Sequence, residues 1–236
     1  MKFTWITQGG FVFESSSFRL AVDPYLSDAV EKKSSVTRMI EPVFCVSSLK
    51  PDAVFCTHDH MDHYDPITVP EIAKEFPECI LAGPVSVVKK AVEDGIEESK
   101  ILKAEKGVLM ELGPFEITPV SALHSDKDAV GMIVKCDGKT LYISGDSEYS
   151  ESIAGEVLKY GGGKIDMMFI CINGKWGNMN LDDALKVVKA IRPGIALPMH
   201  YDLFKENSVS PQPFIEECNA MGIKSFEMKQ GKECLI

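Results

Sequence analysis

The 236-residue chain is 45% hydrophobic and 25% charged, proportions that build an ordinary globular core without disulfide staples. A formal net charge of −10 argues against a nucleic-acid face or an anionic-membrane surface. The N-terminus, Met1-Lys2-Phe3-Thr4-Trp5-Ile6-Thr7-Gln8, has no apolar leader, and no apolar run reaches the roughly 18 residues that span a bilayer, so a soluble cytoplasmic protein is expected.

Residues 2–23 alternate short apolar stretches with Gly9-Gly10 and Ser15-Ser16-Ser17, which predicts strands and tight turns closed by Asp23-Pro24. Residues 25–48 are irregular and polar, and 31–35 are expected to form a mobile loop. A short buried strand over 53–56 runs into Thr57-His58. The apolar spacing predicts helices over 66–76 and 85–94, the second ended by Gly95, with a strand at 80–82 between them. Strands follow over 108–110, 115–117, 131–134 and 141–143, the last two joined by a tight Asp137-Gly138 hairpin. The remainder alternates a helix over 151–160, a strand over 167–172, a helix over 182–191 ended by Arg192-Pro193, a strand over 195–198, a helix over 213–221 and a strand over 225–228. No linker or composition break divides the chain, so residues 1–236 read as one domain of layered α/β architecture.

The seven cysteines have irregular spacings and no CxxC pair, which predicts buried free thiols rather than a structural zinc or redox motif. The histidines carry more information. Three of the five fall in His58-Asp59-His60-Met61-Asp62-His63, directly after a predicted strand. A strand that opens into a turn directs successive side chains at one spot beyond the sheet, and imidazoles gathered there with a carboxylate are ligands for a divalent cation. His124, Asp146 and His200 also follow predicted apolar strands, so distant segments each deliver one ligand-type residue. Asp59, between two candidate ligands, is either a support for an imidazole or a capping acid.

An HxHxDH segment after a short strand, then a later His, an Asp in a Gly-Asp turn and a late His, resembles the metallo-β-lactamase superfamily. The resemblance spans nearly the whole chain and implies the αββα four-layer sandwich. It implies that His58, His60 and His124 hold one metal, that Asp62, His63 and His200 hold a second, and that Asp146 bridges them. His60 stands where the flavo-diiron branch has Glu, which implies hydrolysis rather than redox chemistry. The segments Leu123-His124-Ser125-Asp126, Ser144-Gly145-Asp146-Ser147, Ile172-Asn173-Gly174 and Pro198-Met199-His200-Tyr201-Asp202 are similar to those of the L-ascorbate-6-phosphate lactonase group, which implies opening of a phosphorylated lactone.

The expectation is therefore a hydrolase with two divalent ions, manganese or zinc and also iron by ligand type, that activate water against a lactone or ester carbon. Asp62 and Asp146 are its expected catalytic carboxylates. Asn173, Lys175 and Asn178, in a Gly-rich loop after a buried strand, are expected to contact a small anionic substrate. Two other readings are a phosphodiesterase for a small phosphodiester or phospholipid, and a non-catalytic metal-binding sensor. Self-association as a homo-oligomer is left open by the sequence.

Overall fold

A computed structural model describes residues 1–236. Strands β1 (Lys2–Thr7), β2 (Gly10–Ser15) and β3 (Phe18–Val22) form an antiparallel meander. Two short helices, α1 (Ala29–Lys33) and α2 (Val46–Leu49), lead to β4 (Ala53–Phe55), which pairs parallel with β3. Helix α3 (Thr68–Glu75), β5 (Ile80–Gly83), α4 (Val85–Glu93) and β6 (Ile101–Lys103) extend this sheet by parallel crossovers. The second sheet begins as an antiparallel run of β7 (Met110–Leu112), β8 (Phe115–Ser121), β9 (Val130–Cys136) and β10 (Lys139–Ile143). It continues in parallel through α5 (Ser152–Gly161), β11 (Met167–Cys171), α6 (Leu181–Ile191) and β12 (Ile195–Met199). Helix α7 (Gln212–Ala220) and β13 (Glu233–Leu235) end the chain, and β13 returns to the first sheet beside β1.

The sheet orders are β13-β1-β2-β3-β4-β5-β6 and β12-β11-β10-β9-β8-β7. The main core lies between them and continues past the second sheet to α5, α6 and α7; a smaller core lies under α2, α3 and α4. The two-residue strand period sorts side chains between these cores: Phe11 and Phe13 enter the main one, while Val12 enters the other. Leu20, Ala21 and Val22 divide in the same way, so the first sheet is covered on both faces. This is the expected αββα sandwich. No helix is long and apolar enough to cross a membrane.

Several local expectations hold for their stated reasons. Asp137 and Gly138 both have left-handed backbone, φ 50° and 69°, which a two-residue turn needs to match the twist of β9 and β10. Gly95, at φ 80°, follows the last turn of α4. Asn180 caps α6 by accepting from the Asp183 backbone N–H at 3.0 Å.

Four expectations need correction. Residues 31–33 are helical rather than loop, because Glu31 is tied to Arg38 and accepts from Tyr25 Oη at 2.5 Å. The strand expected at 108–110 lies two residues later, since Leu112 pairs with Phe115 and leaves Val108 and Leu109 exposed. No strand forms over 225–228, and the last strand is β13. Ala196 donates outward from β12 to the Lys224 carbonyl at 2.9 Å, but the next outward-facing residue is Pro198, which has no N–H to extend the ladder. All seven cysteines are free, but Cys45 is exposed and Cys234 half-buried.

Phe169 on β11 is fully buried, and its ring lies 5.1, 4.6 and 5.7 Å from those of Phe3, Phe11 and Phe13, which join the two sheets. Phe169→Ala is expected to lower the unfolding free energy by about 3–5 kcal/mol in urea titration, the range for emptying a buried aromatic site. A loss under about 1 kcal/mol would mean that the sheets are held together elsewhere.

Candidate metal centre

Strands β8, β10, β11 and β12 run in one direction, so their carboxyl ends share one edge of the second sheet. The segments leaving β8, β10 and β12 carry His124, Asp146 and His200. Opposite them, the segment after β4 carries His58, His60, Asp62 and His63 in a tight turn, with the His63 and Tyr64 N–H groups donating to the His60 carbonyl at 2.9 and 2.8 Å. Crevices at the carboxyl ends of parallel strands are where open α/β sheets place ligands, because loops diverge there.

The seven candidate ligands from the sequence converge. Three overlapping groups have ligand atoms within 4.8 Å of one another: His58, His60 and His124; His58, His63 and Asp146; and Asp62, His63 and His200. Asp146 lies between the first and last of these, with Oδ1 3.3 Å from His63 Nε2, and Oδ2 3.0 Å from His200 Nε2 and 3.9 Å from His124 Nε2.

Hydrogen bonds orient three of the imidazoles alike. His63 Nδ1 donates to Asp23 Oδ2 at 2.7 Å, and His124 Nδ1 donates to the Gly177 carbonyl at 2.9 Å. Thr57 Oγ1 gives its proton to Asp23 Oδ2 at 2.7 Å and accepts from His58 Nδ1 at 3.1 Å. Each ring then turns its Nε2 inward, the arrangement by which an outer partner orients a metal-binding histidine. Asn178 Nδ2 donates to Asp146 Oδ2 at 2.9 Å.

Of the ten buried side-chain atoms without a hydrogen-bond partner, five belong to candidate ligands: His58 Nε2, His63 Nε2, both ring nitrogens of His200, and Asp146 Oδ1. A buried polar atom left unpaired costs ~1–3 kcal/mol, so this many in one place is unfavourable without a ligand. Divalent cations fit the positions they face, and imidazoles and carboxylates without thiolate suit zinc, manganese or iron.

The electrostatics agree. Burial pulls the His63 pKa down, but Asp146, Asp23 and Asp62 more than offset this and hold it well above the usual imidazole range. His200 is likewise pulled down by burial and then raised to about 9 overall by Asp146 and Asp62. Burial pushes the Asp62 and Asp146 carboxyls up, but His63 and His200 outweigh it and hold both well below their usual range. His58 is kept neutral by burial and by the neighbouring His63. The carboxylates thus attract positive charge into the group, which a metal ion would supply in place of protons.

A cleft of about 430 Å³ opens over the ligands, and its wall includes Lys33, Lys90, Met61, Trp176, Asn178 and Phe204. A hollow of about 510 Å³ lies at the first residues of β4 and β5, away from every histidine, and offers no comparable chemistry. Of the residues expected to touch substrate, only Asn178 borders the ligand cleft. Asn173 is buried and donates to Asn207 Oδ1 at 2.9 Å, while Lys175 Nζ donates to the Glu206 carbonyl at 2.7 Å. These bonds staple the loop to the segment after β12. Asp59 lines the cleft, and its carboxyl pKa is raised by burial and then by Asp126.

Asp23, Gln8 and Asp65 also shape the centre, though none belongs to the ligand motif. Asp23 had a faint signal in Asp-Pro at a strand end. Asp65 is buried and accepts from Ser27 Oγ at 2.7 Å and Thr68 Oγ1 at 2.5 Å, fixing the ligand turn against the 25–27 segment and α3. Gln8 had no sequence signal.

A family model described as the beta-lactamase superfamily domain matches residues 19–201, which include all seven candidate ligands. A UPF0173 protein of Pyrococcus furiosus is 29% identical over 218 residues, covering 92% of this chain and 90% of its own. A UPF0173 metal-dependent hydrolase of Pyrobaculum islandicum is 28% identical over 236 residues and covers 98% of both chains. Among solved structures, a metallo hydrolase from the hyperthermophilic archaeon Ignicoccus hospitalis has the same fold, with a TM-score of 0.80 at 22% identity over 99% of this chain and 97% of its own.

A ligand that binds only the folded chain stabilises it, so a divalent ion at a hundred times its Kd is expected to add about 2.7 kcal/mol to the unfolding free energy. EDTA should reverse the gain in thermal melts, and Asp146→Ala should reduce it. Equal melting of metal-loaded and stripped protein would argue against a folded-state metal centre.

Proposed function

Since the chain belongs to the beta-lactamase superfamily as a metal-dependent hydrolase, we propose that it hydrolyses a small anionic ester or lactone, with a phosphorylated sugar-acid lactone such as L-ascorbate 6-phosphate as the first candidate. The observation that carries this reading is the set of unpartnered, buried imidazole and carboxylate atoms opening onto a cleft of small-molecule size. The two lysines on the cleft wall add to it. Lys32 pairs with Asp28, whereas its neighbour Lys33 has no carboxylate partner; Lys90 also has none and lies 5.9 Å above the Tyr64 ring. In a chain of net charge −10, unpaired cations beside the centre favour an anionic substrate.

In this reading His58, His60 and His124 would hold one cation, Asp62, His63 and His200 would hold the other, and Asp146 would serve both groups. When bound, two divalent cations supply Lewis acidity at the scissile carbonyl and make water a competent nucleophile near neutral pH. The chain's own residues do the rest. Asp62, with its side chain 18% exposed against 6% for Asp146, reaches the cleft and moves the proton between water and leaving group. Asn178 and the Gly177 carbonyl hold Asp146 and His124 in place. Lys33 and Lys90 bind the anionic end, a role the sequence alone had given to Lys175, and Trp176 and Phe204 cover the apolar part and exclude water.

Metal-stripped protein, reloaded separately with manganese and zinc, should open L-ascorbate 6-phosphate and be inactive without metal. Lys90→Met and Lys33→Met should each raise KM for that substrate about tenfold, or ~1.4 kcal/mol, and raise it less for an uncharged lactone. Turnover of bis-para-nitrophenyl phosphate with no lactone opening would replace this reading with a phosphodiesterase. Absence of turnover on every substrate, with metal bound, would leave the non-catalytic sensor.

A further inference from the structure

The turn between β1 and β2 packs directly against the metal centre, although it lies outside the segment matched by the family model. Gln8 is 1% exposed and has left-handed backbone, φ 54°. A buried amide in that conformation is unfavourable unless its polar groups are all engaged. Here they reach one half of the centre. Gln8 Nε2 donates to Asp62 Oδ2 at 2.9 Å. The Gln8 carbonyl accepts from the His200 backbone N–H at 3.1 Å and from Trp5 Nε1 at 3.1 Å. His200 itself has left-handed backbone, φ 65°, so this bond holds a strained ligand in place. The next residue, Gly9, lies so close to His63 that a Cβ would stand 2.9 Å from His63 Cε1.

One turn therefore touches Asp62, His63 and His200, which form a single ligand group. Two ligands of the other group have supports of their own, with the Gly177 carbonyl on His124 and Ser125 Oγ 3.2 Å from His60 Nε2, and none of its three is bonded to Gln8. The Asp62 oxygen that Gln8 holds is the one 3.6 Å from His200 Nε2 and 3.8 Å from His63 Nε2.

We propose that Gln8 is a positioning residue for one cation only: it aims Asp62 and anchors His200, so the Asp62–His63–His200 site depends on the N-terminal turn and the His58–His60–His124 site does not. This rests on the two-metal reading above. Without the amide donor, Asp62 can rotate its carboxylate away from the imidazoles, while nothing around His60 and His124 changes.

The test is calorimetric titration of metal-stripped protein with Zn²⁺ and with Mn²⁺. Gln8→Asn keeps an amide and tolerates left-handed backbone, but is one methylene short of Asp62. Gln8→Glu keeps the reach and replaces the donor with a like charge. In both variants one of two binding events should weaken about 10–100-fold, the usual effect of losing an outer partner of a ligand. It should be the same event that Asp62→Ala abolishes, with the other event unchanged. Selective weakening of one event with the other unchanged is the readout that a general loss of stability would not give. Equal weakening of both events, or no weakening in either variant while Asp62→Ala still removes one, would overturn the assignment. A wild-type chain that binds fewer than two cations would overturn it together with the two-metal reading.

Discussion

A carboxylate taken out of water needs every lone pair satisfied, and Asp23 is 1% exposed at the seam where the two sheets meet. Its oxygens accept from the Thr57 N–H, from Thr57 Oγ1 and from His63 Nδ1, each at 2.7 Å. Those bonds join the end of β3 to the end of β4, orient His63 directly and, through Thr57, orient His58. The Thr57 carbonyl accepts from the Val130 N–H at 3.0 Å, which ties the same point to β9 of the second sheet. Sheet packing and ligand orientation therefore share one hydrogen-bonded knot, and neither can shift without the other.

The opposite wall is built on the same principle, with amides in place of a carboxylate. Asn178 donates to both Asp146 and Asn173, and Asn173 donates on to Asn207. The loop after β11 is thereby fastened to the loop after β12, and Lys175 adds a further bond to the Glu206 carbonyl. Polar groups that would otherwise be free to meet a substrate hold the cleft open at a defined width, leaving Trp176, 58% exposed, on its rim. Such a polar network buries little apolar surface, but it restricts side chains to one arrangement, which a ligand set needs more than it needs extra stability.

The ligand group was legible in the sequence because metal chemistry restricts which residue types serve and because each follows a strand. Short apolar runs ending in His58, His124, Asp146 and His200 mark the strand ends without reference to neighbours. The αββα layering was legible through the resemblance of that motif series. Residues whose role is a hydrogen bond across the fold left no such mark. Gln8 is an ordinary glutamine in a polar turn until β1 and β2 lie beside the segment after β4. Lys33 and Lys90 are two of many surface lysines until α1 and α4 bring them to one cleft. Lys175 had the right charge and the right loop, but a carbonyl thirty-one residues away took its ammonium. The strand expected at 225–228 failed on Pro198, a residue on the partner strand and therefore invisible to any local pattern.

By itself, then, the sequence determined the strand ends that carry the ligands and the kinds of ligand placed there, because these depend on side-chain chemistry and on neighbours along the chain. The tertiary structure alone decided which nitrogen each imidazole turns inward, which lysines face the cleft and which turn supports which ligand group. Those outcomes depend on hydrogen bonds between residues tens to nearly two hundred positions apart, such as the His200 N–H on the Gln8 carbonyl, and the pairing of such groups is settled only when the two sheets pack.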